Sequence, residues 1–104
     1  MIIRRSKYAA VIDAQLDLFL REHRDVLEDV ATTLERYNAA ERDEAEELYG
    51  DYVDAVETGT ELLADIRDHF KWTLEEGIDE QYEREFNRAV AKRLPRFSLE
   101  IENR

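Results

Sequence analysis

The chain has 104 residues, a length typical of one domain, and carries 26 acidic against 15 basic side chains. It has no cysteine, which excludes a disulfide scaffold, a thiolate metal site and a cysteine nucleophile. The formal charge of −11 argues against binding to nucleic acid or to an anionic membrane surface, because both depend on Lys and Arg.

The first long helix is predicted from about residue 6 to residue 37. Its apolar residues recur at steps of three and four and form one stripe, as in a helix that packs on a single neighbour. The stripe consists of Tyr8, Ile12, Leu16, Phe19, Leu20, Val26, Leu27, Val30 and Leu34.

The second long helix is predicted from about residue 40 to residue 76, and its apolar stripe is wider. A stripe of this width is typical of a helix that packs on more than one neighbour. Between the two helices, Asn38 and Glu41 form a capping-box pattern, in which Asn38 caps the second helix. We therefore expect an antiparallel hairpin and not one continuous helix.

A shorter third helix is predicted from about residue 80 to residue 94. Gly77 can end the second helix in the left-handed conformation, Asp79 can cap the third, and Pro95 ends it. The predicted fold is thus all-α, with a tail over residues 96–104 that we expect to be extended.

The tail alternates apolar and polar residues, which is also a strand pattern. Its apolar members are Phe97, Leu99 and Ile101, and Ile2 and Ile3 are candidates for a partner strand. An extended tail that lies over the helix ends is the interpretation we favour over a strand pair.

His23 is the polar residue near the middle of the first stripe. If the turn centres near residue 40, His23 faces Gly59 and Thr60 on the second helix. The hypothesis is that Gly59 makes room for the imidazole ring and Thr60 offers its hydroxyl. A core histidine with one hydrogen bond is the simpler alternative.

A metal site is not expected. The same antiparallel pairing of the two long helices places His69 far from His23. Di-metal bundles also require a glutamate three residues before the histidine, and neither histidine has one. The carboxylates fall on the polar arcs of both helices. The sequence also lacks a glycine-rich phosphate loop and a nucleophile paired with a histidine, so we predict no catalytic residue and no cofactor.

Six residues are candidates for an interaction surface. Trp72 lies opposite the main stripe, where we expect the third helix or a dimer partner to cover it, with an exposed anchor for an outside partner as the alternative. Leu63 lies on the wide stripe, which two hairpins could bury as a four-helix core. The others are the cations of a segment without acids, Arg88, Lys92, Arg93 and Arg96, which either dock a partner or lie against the acidic second helix.

Three functions compete at this point. The first is a non-enzymatic protein that self-associates as a homodimer in an assembly or regulatory role. The second is an acidic module for a basic protein partner, motivated by residues 41–85, which carry 17 acidic and four basic side chains. The third is a ligand-binding or enzymatic bundle with a pocket near His23. We expect a cytoplasmic protein, and acid-rich, Arg-over-Lys usage would suit a saline cytoplasm.

Overall fold

The computed structural model describes residues 7–104, and all of their regular structure is helical. The predicted partner strand at Ile2 and Ile3 lies outside these residues. The elements in chain order are α1 (Ala9–Glu22), α2 (Arg24–Asn38), α3 (Ala45–Lys71), α4 (Ile78–Arg93), a 3₁₀ turn (Pro95–Phe97) and α5 (Ser98–Glu102).

The helix α3 is the centre of the packing. It lies along α2, to which residues 39–44 connect it, and it also contacts α4, the 3₁₀ turn and α5. The helix α1 packs mainly on α4 and contacts α2 less. The wide stripe of α3 therefore has several neighbours within one chain, as its width predicts.

The first predicted helix is interrupted at His23, so this part of the chain forms two helices, α1 and α2. This residue has φ −120° and ψ 39°, outside the helical region, and its carbonyl accepts hydrogen bonds from the amides of Val26 and Leu27 at 3.1 and 3.3 Å. The stripe serves two neighbours in succession, since α1 packs on α4 whereas α2 packs on α3. A straight helix could not follow both.

The second predicted helix is shorter at both ends. Asn38 is the last residue of α2 and caps nothing, so the expected capping box is absent, and α3 begins only at Ala45. At the other end, α3 stops at Lys71, and the hydroxyl of Thr73, two residues beyond, donates to the carbonyl of Phe70 in the last turn at 2.6 Å.

Gly77 does take a positive φ, 92°, as predicted, but its ψ of −42° lies outside the left-handed helical region. It lies six residues after the end of α3, however, and precedes the first residue of α4. The carboxylate of Asp79 accepts from the amides of Gly77 and Glu80, both at 2.9 Å, within the first turn of α4. Asp79 therefore satisfies backbone donors at this helix start from inside the helix.

The prediction of an extended tail is wrong, because residues 95–102 form the 3₁₀ turn and α5. We call these residues the C-terminal segment. Phe97 and Ile101 are buried while Leu99 is 78% exposed. Residues four apart share one face of a helix, whereas a strand would have placed all three together.

Arg67 holds the C-terminal segment on α3. Its side chain is 1% exposed, and Nη1 donates to the Ile101 carbonyl and to Asn87 Oδ1, both at 3.0 Å. Nε donates to Asp68 at 2.9 Å, and Nη2 lies 3.6 Å from a Glu83 carboxylate oxygen. One guanidinium thereby joins α3, α4 and α5.

Four aromatic rings pack together in another part of the core. Tyr82 lies 4.8 Å from Phe70, 5.6 Å from Tyr8 and 6.0 Å from Phe86 between ring centroids. Its hydroxyl donates to Gln15 at 2.9 Å. Burial raises the pKa of Tyr82 to about 12, although the hydrogen bond to Gln15 and the charge of Arg67 act to lower it.

Replacing Arg67 with Ala should lower the free energy of unfolding by about 3 kcal/mol, because it leaves a cavity and an unpaired carbonyl at Ile101. Urea denaturation followed by circular dichroism measures this loss. The control is Arg104→Ala, which breaks an exposed ion pair with Glu61 and should cost less than about 0.5 kcal/mol. Equal losses in the two variants would contradict the role of Arg67.

The raised pKa of Tyr82 predicts a loss of stability at high pH. The fold favours the neutral phenol, so its contribution is complete below pH 10 and is lost as pH rises towards 12. The loss should be roughly 2 kcal/mol. Unfolding measured at increasing pH should show it for the native chain, with a smaller decline for Tyr82→Phe. An identical decline in both would refute the assignment.

Candidate protein-contact surface

The polar site predicted at His23, Gly59 and Thr60 is not formed. A Cβ at Gly59 would meet the ring of Phe97, with Cζ at 2.8 Å, and then Val26 Cγ1 at 3.2 Å. The Thr60 hydroxyl donates to the Val56 carbonyl of its own helix at 2.8 Å. Gly59 thus makes room for the C-terminal segment.

His23 itself lies at the joint between α1 and α2. Its half-buried ring is 5.4 Å from that of Phe19, which also packs edge-on against Phe97 at 6.2 Å. The space expected to hold a ligand is therefore filled by an aromatic side chain. The hypothesis of a pocket between His23 and Gly59 is wrong in this respect.

Leu63 and Trp72 have opposite environments. Leu63 is 0% exposed within the single chain, so the prediction that it forms a surface between two hairpins is wrong. The reason is that α4 and the C-terminal segment cover this part of α3. Trp72 is 76% exposed and follows the last residue of α3. The expected cover by the third helix is absent.

The four cations of residues 88–96 do not form one docking site. Arg93 pairs with Asp17 of α1 at 2.7 Å, so it lies against an acidic residue, though not on the helix expected. Arg88 and Lys92 line a narrow groove of about 180 Å³ between α1 and α4. Arg96 is the fourth cation, and it lies within the 3₁₀ turn and lines two further grooves.

The groove on the α2 side of Arg96 has a volume of about 470 Å³, and we call it the α2 groove. Most of its lining is apolar, and Glu35, Asn38 and Arg93 supply its polar atoms together with Arg96. The apolar lining residues are Leu27, Val30, Ala31, Leu34, Leu94, Pro95 and Phe97.

The groove on the other side of Arg96, the α3 groove, has a volume of about 240 Å³. Arg96, Glu57 and Glu100 line it together with apolar and aromatic side chains. The latter are Tyr49, Tyr52, Val53, Val56 and Leu99. We call the two grooves, with Arg96 between them, the hairpin face.

Three tyrosines gather at the end of this face. The ring centroid of Tyr49 lies 5.1 Å from that of Tyr37 and 6.2 Å from that of Tyr52. Tyr49 is 50% exposed and Leu99, across the α3 groove, is 78% exposed. Large side chains that are rigid, aromatic and half open to solvent are the usual anchors of protein interfaces.

Within residues 7–104, no group of three or more His, Asp or Glu side chains is placed to hold a metal ion. In the same range no helix has both the length and the apolarity that crossing a bilayer demands. The buried ionisable side chains Tyr8, Arg67 and Tyr82 belong to the core and line none of the grooves described above.

Sequence reasoning missed Arg67 and the hairpin face. A signal for Arg67 was present, because it follows Leu63 by four residues and precedes Phe70 by three, which puts a cation inside an apolar stripe. The hairpin face had no such signal, since it depends on where the C-terminal segment ends.

Comparisons with protein-family models, with curated proteins and with solved structures return no match for this chain. Its function must therefore be argued from its own surfaces.

The close approach at Gly59 predicts opposite effects for two Gly→Ala variants. Gly59→Ala should lower the free energy of unfolding by about 1–3 kcal/mol, because the Phe97 ring must move. Gly50→Ala, with nothing within 4 Å of its added Cβ, should raise it by about 0.5–1 kcal/mol through helix propensity.

Thermal unfolding of both variants and of Gly59→Ala combined with Phe97→Leu measures these effects. The second substitution should recover part of the loss, since leucine lacks the ring atoms that the new Cβ would meet. Stabilisation by Gly59→Ala would contradict the packing of Phe97 described here.

Proposed function

We propose that this chain is a non-enzymatic helical protein that acts through protein contacts, with the hairpin face as its contact surface. The partner is an amphipathic helix of another protein that carries basic residues along its flanks. The observation that carries this proposal is the pair of open, largely apolar grooves on either side of Arg96.

Helix-in-groove binding accounts for the shape of this surface. In that mode a helix lays its apolar side chains into hydrophobic grooves, and a few anchors supply most of the affinity. The exposed Tyr49 and Leu99 stand on the two sides of the α3 groove and would be the anchors on this chain. An apolar patch of this kind is costly to leave open to water.

The charges favour a basic partner. Residues 24–71, which contain α2, α3 and their connection, carry 15 acidic and five basic side chains. The carboxylates that line the grooves, Glu35, Glu57 and Glu100, have no ion pair within 4 Å among residues 7–104. Arg96 disfavours a cation in the middle of the face, so the basic residues of the partner belong at its edges.

A second copy of the chain is the second candidate partner. Both α2 and α3 contribute to the hairpin face, so two copies could pair as four helices, which is the homodimer expected from the sequence. Leu63 would have no part in such a pair. The acidic hairpins would face each other, and this repulsion makes a basic partner the better candidate.

Titration with a synthetic helical peptide tests the proposal. The probe is an 18-residue peptide with leucines at helical spacing and lysines elsewhere, titrated by calorimetry into the native chain and into a Tyr49→Ala, Leu99→Ala double variant. The double variant should bind at least about tenfold more weakly, because it lacks both anchors. Binding to the native chain should weaken with added salt.

The matched control is Leu18→Ala, which removes another exposed leucine that lines neither groove. Its affinity for the peptide should equal that of the native chain. Equal weakening in the control, or undiminished binding by the double variant, would show that the peptide responds to overall charge and not to the hairpin face.

A further inference from the structure

Trp72 presents a large aromatic surface to solvent at the end of α3 opposite to the tyrosine cluster. It is 76% exposed, and its indole contacts the ring of His69, with 6.0 Å between the centroids. His69 also lines a shallow groove of about 480 Å³, with Ile66 and Phe70 among its other walls. An exposed indole beside an apolar groove is typical of a residue that anchors a protein interface.

The charges around Trp72 are negative. Asp65 lines the same groove, and Glu75 and Glu76 lie in the connection that follows Trp72. The two cations nearest to Trp72 along the chain form ion pairs with other carboxylates. Arg67 pairs with Asp68 and Glu83, and Lys71 pairs with Glu83 at 3.1 Å. Among residues 7–104, no ion pair within 4 Å involves Asp65, Glu75 or Glu76.

We propose that the Trp72 end is a second protein-contact surface, which binds an arginine side chain in a basic segment of a partner. The face of an indole attracts a guanidinium ion by cation–π interaction, and nearby carboxylates add to this attraction. Arginine is preferred to lysine because its planar group stacks on the ring while its N–H groups still donate to carboxylates.

The Trp72 surface is separate from the hairpin face. Tyr49 and Trp72 are 23 residues apart, roughly 35 Å at the rise of an α-helix, and about 140° apart around its axis. One short helix cannot cover both. The chain can therefore hold two partners at once, and this inference stands whether or not the hairpin face binds its own.

The chain has a single tryptophan, so its fluorescence reports on this surface alone. The probe is a ten-residue peptide of alternating glycine and arginine, compared with matched glycine–lysine and glycine–glutamate peptides. The arginine peptide should change the Trp72 emission in a saturable manner and more tightly than the lysine peptide. The glutamate peptide should have no effect.

Amide and indole N–H shifts of the ¹⁵N-labelled chain locate the contact. The largest shifts should be those of Trp72, His69 and Thr73, and Trp72→Ala should weaken binding about fivefold, with Trp72→Phe between the two. An unsaturable emission change, shifts spread evenly over the acidic surface, or an unchanged affinity in Trp72→Ala would overturn the proposal.

The Tyr49→Ala, Leu99→Ala double variant separates this proposal from the function proposed above. It should respond to the arginine peptide as the native chain does, because the Trp72 surface is intact. Loss of the response in this variant would mean that the peptide binds the hairpin face, and the Trp72 surface would then have no support.

Discussion

The buried guanidinium of Arg67 is the interaction on which the rest of the fold depends. A charge out of contact with water must be paired, and three of the four partners of Arg67 reach it only if α4 and α5 lie against α3. Asn87 and Glu83 come from α4, and the Ile101 carbonyl comes from α5. The short C-terminal segment, which could not form a stable helix alone, is thus fixed in one place.

The position of the C-terminal segment explains two other features of the chain. Phe97, at its start, reaches the backbone of α3 at Gly59, where no side chain is in the way. The same ring packs on Phe19, just before the break at His23. The break lets α1 turn towards α4 while α2 continues along α3, so that Phe97 fills the joint between the two helices.

The place where the C-terminal segment ends also determines which surface stays open. It covers α3 around Leu63 and Arg67, whereas the apolar side of α3 continues past it to Val53 and Tyr49. On the α2 side, Leu27 and Leu34 remain accessible in the same way. The apolar stripe is therefore longer than the part of it that other elements of the chain cover, and the uncovered part forms the hairpin face.

Helical periodicity predicts the coarse architecture of this chain well and its joints poorly. The all-helical fold, the positive φ of Gly77 and a wide stripe with several neighbours all follow from local pattern. The break at His23 does not, because no Gly or Pro marks it and the apolar stripe resumes in the same helical register at Val26. Arg21 before the break and Asp25 after it are weak signals, since they suit the end of one helix and the start of another.

The C-terminal segment shows why local pattern was insufficient for the candidate site. Phe97, Leu99 and Ile101 fit a strand and a short helix equally well, and only the partners of Phe97 and Ile101 on α3 decide between them. Gly59 was correctly singled out as a close approach, but the pairing rule that assigned it to His23 considered only two helices. Contacts between residues distant in sequence were needed to identify Phe97.

We propose that one chain covers its own wide stripe around Leu63 and that the uncovered part, the hairpin face, binds a different protein. The mass in solution, measured by light scattering after gel filtration at low and at high salt, tests it most directly. The account predicts the monomer mass of 12.3 kDa under both conditions. Twice that mass at either salt concentration would mean that a second copy occupies the face, and it would contradict the account.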